Sequence, residues 1–265
     1  MASKITTSRS PGGRLLTIEW LDALASTSAY IEEIARHGGN DGYVVVAEDA
    51  PSPETQSKKK PQSSTLHISI LLRPALTPSR GTMIPVLGAI ALTRSIRRHS
   101  THEPMIRWIS DIYVGKQQIA SASIHSSLRP SGSFRYVIVN FSLSITQSFA
   151  GSLSDVVRSV FSVHRETLSQ RVAETLINEF FTLYEGYATT DSVAFLDEYR
   201  ELSLLRGKWI RFLRNGRRVP ATVIGIDDSA RLVVTPRHGE SVVLHSVAEL
   251  YDPRRMRRQR KDENA

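Results

Sequence analysis

The pattern of apolar residues changes after Gly207. Before it, short β-branched runs such as Tyr43–Ala47 alternate with segments of helical apolar spacing such as Met83–His99. After it, four short strand-like runs follow one another, separated by turn formers such as Asn215-Gly216. This order predicts a mixed α/β (α+β) domain followed by a small β-barrel.

The turn and charge signals divide the chain further. Residues 1–14 are polar with Pro11, Gly12 and Gly13, which predicts a flexible N-terminal arm. We expect residues 15–202 to form the main domain, 203–252 the barrel and 253–265 a basic tail. Residues 50–65 hold three prolines and three lysines, so a mobile loop is expected there. Helices are also predicted over 29–37, 153–187 and 193–205, and strands over 17–20, 66–72, 105–109, 119–125 and 134–145.

Composition excludes several functional classes. The 265 residues include no cysteine, which rules out disulfides, cysteine-ligated metals and a thiol nucleophile. No apolar run reaches the roughly 18–20 residues of a membrane span, and the first residues lack the apolar core of a signal peptide. We therefore expect a cytoplasmic protein without membrane contact. The net charge of +8 derives in part from the tail, so it is weak support for nucleic-acid binding.

Several common site motifs are missing from the sequence. The eight histidines show no H-E-x-x-H spacing, and the one H-x-x-H pair, His99 and His102, fits a surface turn, so no metal site is predicted. G-x-S-x-G, P-loop and G-x-G-x-x-G motifs are also absent. The residues before Thr17 are too few for a DNA-binding helix-turn-helix.

Other local motifs stand in a characteristic order. They are Ala25-Ser26-Thr27-Ser28-Ala29-Tyr30, Val44-Val45-Val46-Ala47-Glu48, Leu66 to Pro74 (LHISILLRP), Ile106 to Gly115 (IRWISDIYVG), and the barrel stretches Leu205-Arg206-Gly207-Lys208 and Gly225-Ile226-Asp227. These motifs cover nearly the whole chain. Together they resemble the biotin–protein ligase family, whose members attach biotin to acetyl-CoA carboxylase and related carriers.

The resemblance implies a fold and a reaction. The fold would be the mixed sheet and flanking helices of the biotin/lipoate ligase catalytic domain, followed by an SH3-like barrel. The reaction would join ATP, with Mg²⁺, and biotin into biotinyl-adenylate, which a lysine of a biotin carrier domain then attacks; a homodimer is compatible with it. By resemblance, the pocket residues are Ser26, Thr27, Glu48, Arg107, Trp108, Asp111, Ser121 and Asn140.

Some of these residues also have a simpler interpretation. Ser26 or Thr27 can act as the N-cap of the following helix, which we favour over ligand contact. Trp108 fits a core position better than a pocket wall. Asp111 can cap a turn.

The sequence departs from the family at three ligand-binding motifs. The family's glycine- and arginine-bearing phosphate loop is replaced by residues 49–60, where Lys58, Lys59 and Lys60 are the remaining basic candidates. Gln118 occupies the position of the lysine that contacts the biotin carboxylate and the phosphate, and Lys116 is a substitute if the strand rearranges. Side chains replace family glycines at Ser121, Asn140 and Ser142, where a ligand needs room.

Three hypotheses follow. The first is a biotin–protein-ligase homologue with eroded catalytic motifs, weak or inactive, acting as a binding or accessory protein. The second is an active biotin–[acetyl-CoA-carboxylase] ligase that uses Lys116 or Lys58–Lys60. The third is a nucleic-acid-associated protein that uses its basic tail.

Overall fold

The computed structural model describes residues 3–21, 24–49, 63–146, 165–190 and 193–250. Its main sheet contains the strands β1 Ser3–Arg9, β2 Leu15–Leu21, β3 Tyr43–Asp49, β4 Ser63–Leu72, β5 Met105–Arg107, β6 Asp111–Val114, β7 Gln117–Leu128 and β8 Phe134–Thr146. Their order is β1-β2-β3-β4-β8-β7-β6-β5, with β2 and β3 parallel and the other neighbours antiparallel. The helices are α1 Thr27–Arg36, α2 Pro78–Gly81, α3 Ile84–His99, α4 Arg165–Thr190 and α5 Phe195–Glu201.

The predicted flexible arm over residues 1–14 is wrong for its described part, residues 3–14. Ser3–Arg9 instead form β1, which pairs antiparallel with β2 at the sheet edge. The carboxylate of Glu185 on α4 then holds the following turn, because it accepts hydrogen bonds from Ser10 Oγ at 2.6 Å and from the Gly12 amide at 2.8 Å. The sequence did not predict this strand because its side chains are mostly exposed and show no apolar pattern. Pairing through the backbone does not require such a pattern.

Helix α1 connects the parallel strands β2 and β3, as a parallel pair requires. Ser26 is its N-cap, since the Ala29 amide donates to Ser26 Oγ at 3.1 Å, and the capping interpretation of the sequence is confirmed. Ile31 and Ala35 bury the apolar side of α1 against one sheet face. Because α1 is short, it covers only part of that face.

The opposite sheet face carries the main core. Helices α3 and α4 pack there against apolar residues of β4, β7 and β8. Gly88 permits the close approach of α3, because a Cβ at this position would lie 3.0 Å from Ala122 Cβ. Glu179 on α4 is buried and forms ion pairs with Arg94 at 3.2 Å and Arg98 at 2.5 Å, which ties the two helices together.

The C-terminal residues form a separate antiparallel sheet. Its strands are β9 Trp209–Arg214, β10 Arg217–Ile226, β11 Leu232–Pro236 and β12 Val242–Leu244, in the order β12-β11-β10-β9. Asn215 and Gly216 connect β9 and β10 with positive φ angles of 50° and 71°, as a tight hairpin turn requires. Their number agrees with the four strand-like runs predicted after Gly207, and the sheet is consistent with a small SH3-like β-barrel.

The two sheets meet through Trp108. Its side chain is 2% exposed, and its indole Nε1 donates to the Ala230 carbonyl at 2.8 Å in the C-terminal sheet region. Nearby, the Ile106 amide donates to the Leu202 carbonyl at 2.7 Å, and the Tyr199 hydroxyl donates to the Ile109 carbonyl at 2.7 Å. The core interpretation of Trp108 is therefore confirmed.

Other segment boundaries differ from expectation. Ser63–Leu72 is a strand, so residues 63–65 are not part of a mobile loop, whereas residues 50–62 lie outside the described residues. The helix predicted over 193–205 is shorter, Phe195–Glu201, and Asp111–Val114 is a strand that periodicity did not reveal. Residues 153–164 and the tail from 251 also lie outside the described residues. In the described parts of the chain, no helix has the length and apolarity to cross a membrane.

Candidate ligand cleft

A polar cleft lies beside α1 on the sheet face that this helix only partly covers. Three neighbouring strands form its floor in two rows set by their register. Ser69, Asn140 and Ser123 form one row across β4, β8 and β7. His67, Ser142 and Ser121 form the second. Since alternate strand residues share one face, these polar side chains project to the same side, whereas their apolar neighbours enter the main core.

The cleft has a volume of about 200 Å³. Its walls come from the start of α1 and the segment before it. The lining residues are Leu24, Ala25, Ser26, Thr27, Ser28, His67, Ser121, Ser123, Asn140, Phe141 and Ser142. Ligand pockets commonly enclose about 300–1,000 Å³, so this cleft is small.

Hydrogen bonds fix Asn140 in the cleft. The buried Ser69 hydroxyl donates to Asn140 Oδ1 at 2.8 Å, and Ser69 Oγ also lies 2.8 Å from Thr27 Oγ1. A hydroxyl has one proton to donate, so the Thr27 hydroxyl donates to Ser69 in this arrangement. The Asn140 side chain is therefore held by α1 and β4 through one connected network.

The cleft has little charge. His67 is the one titratable side chain among its described lining residues, which include no lysine, arginine or carboxylate. Hydroxyl and amide groups can donate and accept hydrogen bonds but supply no fixed positive charge. The arrangement can bind a small polar group, whereas it offers little electrostatic stabilisation to a phosphate.

The structure brings together four of the residues predicted for the pocket. Ser26, Thr27, Ser121 and Asn140 all line the cleft. Ser26 also caps α1 and Thr27 contacts Ser69, so both have structural roles in addition to their position at the cleft. Lys58, Lys59 and Lys60 lie outside the described residues.

Gln118 does not line the cleft. Its side chain is exposed on β7, and Gln118 Nε2 donates to Asp111 Oδ1 at 3.0 Å. Lys116, the predicted substitute, lies in the turn between β6 and β7 and is exposed. The tight turn at Gly115, with φ 58°, ends the strand before Lys116 and separates it from the β7 ladder.

The remaining predicted residues lie elsewhere. Glu48 is on β3 opposite Leu66, and Arg107 contacts Tyr113, with Arg107 Nη1 3.4 Å from the Tyr113 hydroxyl. Trp108 belongs to the junction between the sheets. None of these three residues is among the described residues that line the cleft.

The prediction of pocket residues omitted His67 and Ser123. Each alternates with apolar residues in a strand, and this period of two was the available signal. Polar residues at every second position on three neighbouring strands indicate a polar stripe across one sheet face. Only the strand register shows that these positions are adjacent.

This combination of an eight-stranded mixed sheet, flanking helices and a C-terminal antiparallel sheet is a biotin protein ligase-like fold. No family model matches the sequence. A biotin protein ligase-like protein of unknown function from Silicibacter sp. TM1040 superposes with a TM-score of 0.66 at 12% identity, over 90% of this chain and 96% of that one.

Biotin protein ligase from Aquifex aeolicus has the same architecture. An arginine-to-glycine mutant of that ligase in complex with biotin gives a TM-score of 0.65 at 14% identity, over 88% of this chain and 97% of that one. The complex with biotin and ATP gives a TM-score of 0.62 at 12% identity over the same shares. At these identities the likeness establishes the fold.

Proposed function

We propose that this chain is a biotin–protein-ligase homologue that forms biotinyl-adenylate weakly or not at all and acts as a binding or accessory protein. The supporting observation is the lining of the cleft. Asn140, Ser142 and Ser121 stand where the resemblance places glycines, and all three line a volume of about 200 Å³.

Biotin and ATP fit this cleft poorly. The side chain of Asn140 is held by the buried Ser69, so moving it aside would break a hydrogen bond in the interior. A larger ligand would also have to displace the hydroxyls of Ser121 and Ser142. We therefore derive no adenylation step from these residues.

The charge of the site supports the same proposal. Formation of an adenylate requires positive groups that stabilise the charge developing on phosphate. At the family's lysine position this chain has Gln118, whose amide is paired with Asp111 outside the cleft. The polar lining of the cleft instead suits a small uncharged ligand with several hydrogen-bonding groups.

An accessory role can keep part of the family's recognition. A biotin carrier domain is the partner that the resemblance suggests, and docking of such a domain does not require adenylate chemistry. We propose that any such docking occurs without transfer of biotin to the carrier lysine.

Calorimetric titration with biotin, and then with ATP and Mg²⁺, tests the proposal. The Aquifex aeolicus ligase serves as the positive control in the same buffer, and transfer of labelled biotin to a carrier domain is measured in parallel. We expect no saturable heat for biotin at concentrations that saturate the control, and no labelled carrier. Transfer at the control rate would refute the proposal and favour an active ligase. Loss of that transfer in Lys116→Ala would then assign the substitute cation.

A further inference from the structure

The outer face of the C-terminal sheet carries an exposed tryptophan. Trp209 is 64% exposed at the start of β9. Phe212 on the same strand is buried, and alternation along a strand places Trp209 and Arg211 on the opposite, outer face. Trp209 is opposite Thr222 on β10, and two residues further along β10 Ile224 is 55% exposed at a bulge. Large apolar side chains exposed together in this way indicate an interaction surface.

A second cleft adjoins this surface. It has a volume of about 300 Å³, and its lining residues are Arg200, Ser203, Arg206, Ile224, Gly225, Ile226 and Val233. Its lining combines apolar residues with two arginines. We call the surface formed by Trp209, Arg211, Ile224 and Arg206 the Trp209 face.

The segment that carries the Trp209 face is basic. Residues 202–226 contain six basic residues and no acidic residue; the basic ones are Arg206, Lys208, Arg211, Arg214, Arg217 and Arg218. Arg214 and Arg217 are directly opposite one another beside the hairpin turn. Like charges directly opposite one another on paired strands destabilise a hairpin. Among the described residues, no carboxylate forms an ion pair with Arg214 or Arg217. A negatively charged partner would remove this repulsion.

The two acidic residues that follow this segment are already engaged, whereas Glu201, which precedes it, is exposed. Asp227 pairs with Arg231, with 2.7 Å between the charged atoms, and Asp228 pairs with Arg200 at 2.5 Å. These carboxylates therefore do not neutralise Arg206 or Arg211. The Trp209 face combines an accessible aromatic ring with a positive surrounding.

We propose that the Trp209 face binds single-stranded nucleic acid. Stacking of a base on the indole and pairing of the arginines with phosphates are the two interactions by which such strands are held without sequence preference. An acidic protein segment would use the arginines but gains less from a planar ring that stands in solvent. The binding surface is thus the sheet face, independent of the basic tail.

Fluorescence anisotropy with labelled 20-nucleotide oligouridylate and oligothymidylate tests this assignment. We expect saturable binding at low salt that weakens as salt rises. Trp209→Ala should weaken it by about tenfold or more through lost stacking, whereas Trp209→Phe should keep most of it. Circular dichroism checks that each variant is folded. We expect this because the replaced side chains are exposed.

Two pairs of arginine variants test whether the positive charge acts at the Trp209 face, and the second pair is the matched control. Replacing Arg206 and Arg211 with alanine should lower the slope of log affinity against log salt by about 1.4, from roughly 0.7 per phosphate contact on a single strand. Replacing the exposed Arg9 and Arg135 of the main domain removes the same charge and should leave the slope unchanged. Equal effects of the two pairs would refute a localised site.

The tail is tested in the full chain. Changing Arg254, Arg255, Arg257 and Arg258 to glutamine should leave the effect of Trp209→Ala intact. Loss of all binding in this tail variant, with no effect of Trp209→Ala, would assign binding to the tail and overturn the proposal. Displacement of the oligonucleotide by polyglutamate at equal concentration would overturn it in favour of an acidic protein partner.

Discussion

Replacing Trp108 with phenylalanine tests whether the two sheets depend on one hydrogen bond and one buried ring. In the native chain the indole Nε1 donates to the Ala230 carbonyl at 2.8 Å, and the side chain is 2% exposed. Phenylalanine keeps an aromatic ring but has no donor. The variant therefore removes the hydrogen bond while retaining most of the apolar contact.

The expected cost follows from these two changes. A buried carbonyl that loses its donor costs about 1–3 kcal/mol, and the smaller ring leaves an additional void. We expect the free energy of unfolding of Trp108→Phe to fall by about 2–4 kcal/mol. Trp108→Ala, which empties the site, should cost about 3–5 kcal/mol or more. For a chain of this size, each kcal/mol corresponds to roughly 2–4 °C in Tm.

Urea unfolding followed by far-ultraviolet circular dichroism measures these differences without relying on tryptophan emission. Trp209→Phe is the matched control, because it makes the same chemical change at a side chain that is 64% exposed. Its unfolding free energy should stay within about 0.5 kcal/mol of the native value. The reasoning is refuted if Trp108→Phe costs no more than Trp209→Phe.

Three further outcomes are expected. Glu179→Gln should lower the unfolding free energy by about 1–3 kcal/mol in urea titrations, because it leaves Arg94 without one of its carboxylate partners; a change below about 0.5 kcal/mol would contradict this. Burial and nearby arginines lower the pKa of His99 below its ordinary 6.5, so the unfolded chain binds more protons below pH 6.5 and stability falls as pH drops. His99→Gln should therefore flatten stability between about pH 5 and 7, and equal slopes in both proteins would contradict this. The double variant Asn140→Gly, Ser142→Gly should gain measurable biotin binding by calorimetry, and unchanged heats would show that these side chains do not limit access.

Much of the fold was predictable where apolar periodicity is strong. Helix α3 agrees with its predicted segment, and four strands follow Gly207 as predicted, because apolar residues recur at regular spacing in these parts of the chain. Strand β1 carries little such signal because backbone pairing at a sheet edge needs few buried side chains, and β6 carries little because it has only four residues. The order of the strands in the sheet depends on contacts between distant segments, which local patterns do not specify.

The site was predictable only in part. The resemblance identified Ser26, Thr27, Ser121 and Asn140, which the structure brings together at one cleft. It did not indicate that Gln118 would be paired with Asp111 outside that cleft, because a side chain's direction depends on its neighbours. His67 was missed since one histidine in an apolar strand has no distinctive spacing.

Strand β1 has a practical consequence for handling the protein. It covers the backbone N–H and C=O groups of β2, and the polar side chains of β1 face solvent. In a shortened chain that begins beyond Arg9, β2 would become an unpaired edge strand rich in leucine and isoleucine. Its free backbone groups could then pair with strands of other molecules. Deletion of the amino terminus through Arg9 would thus invite precipitation during purification, whereas removal of a tag placed before Met1 leaves β1 in position.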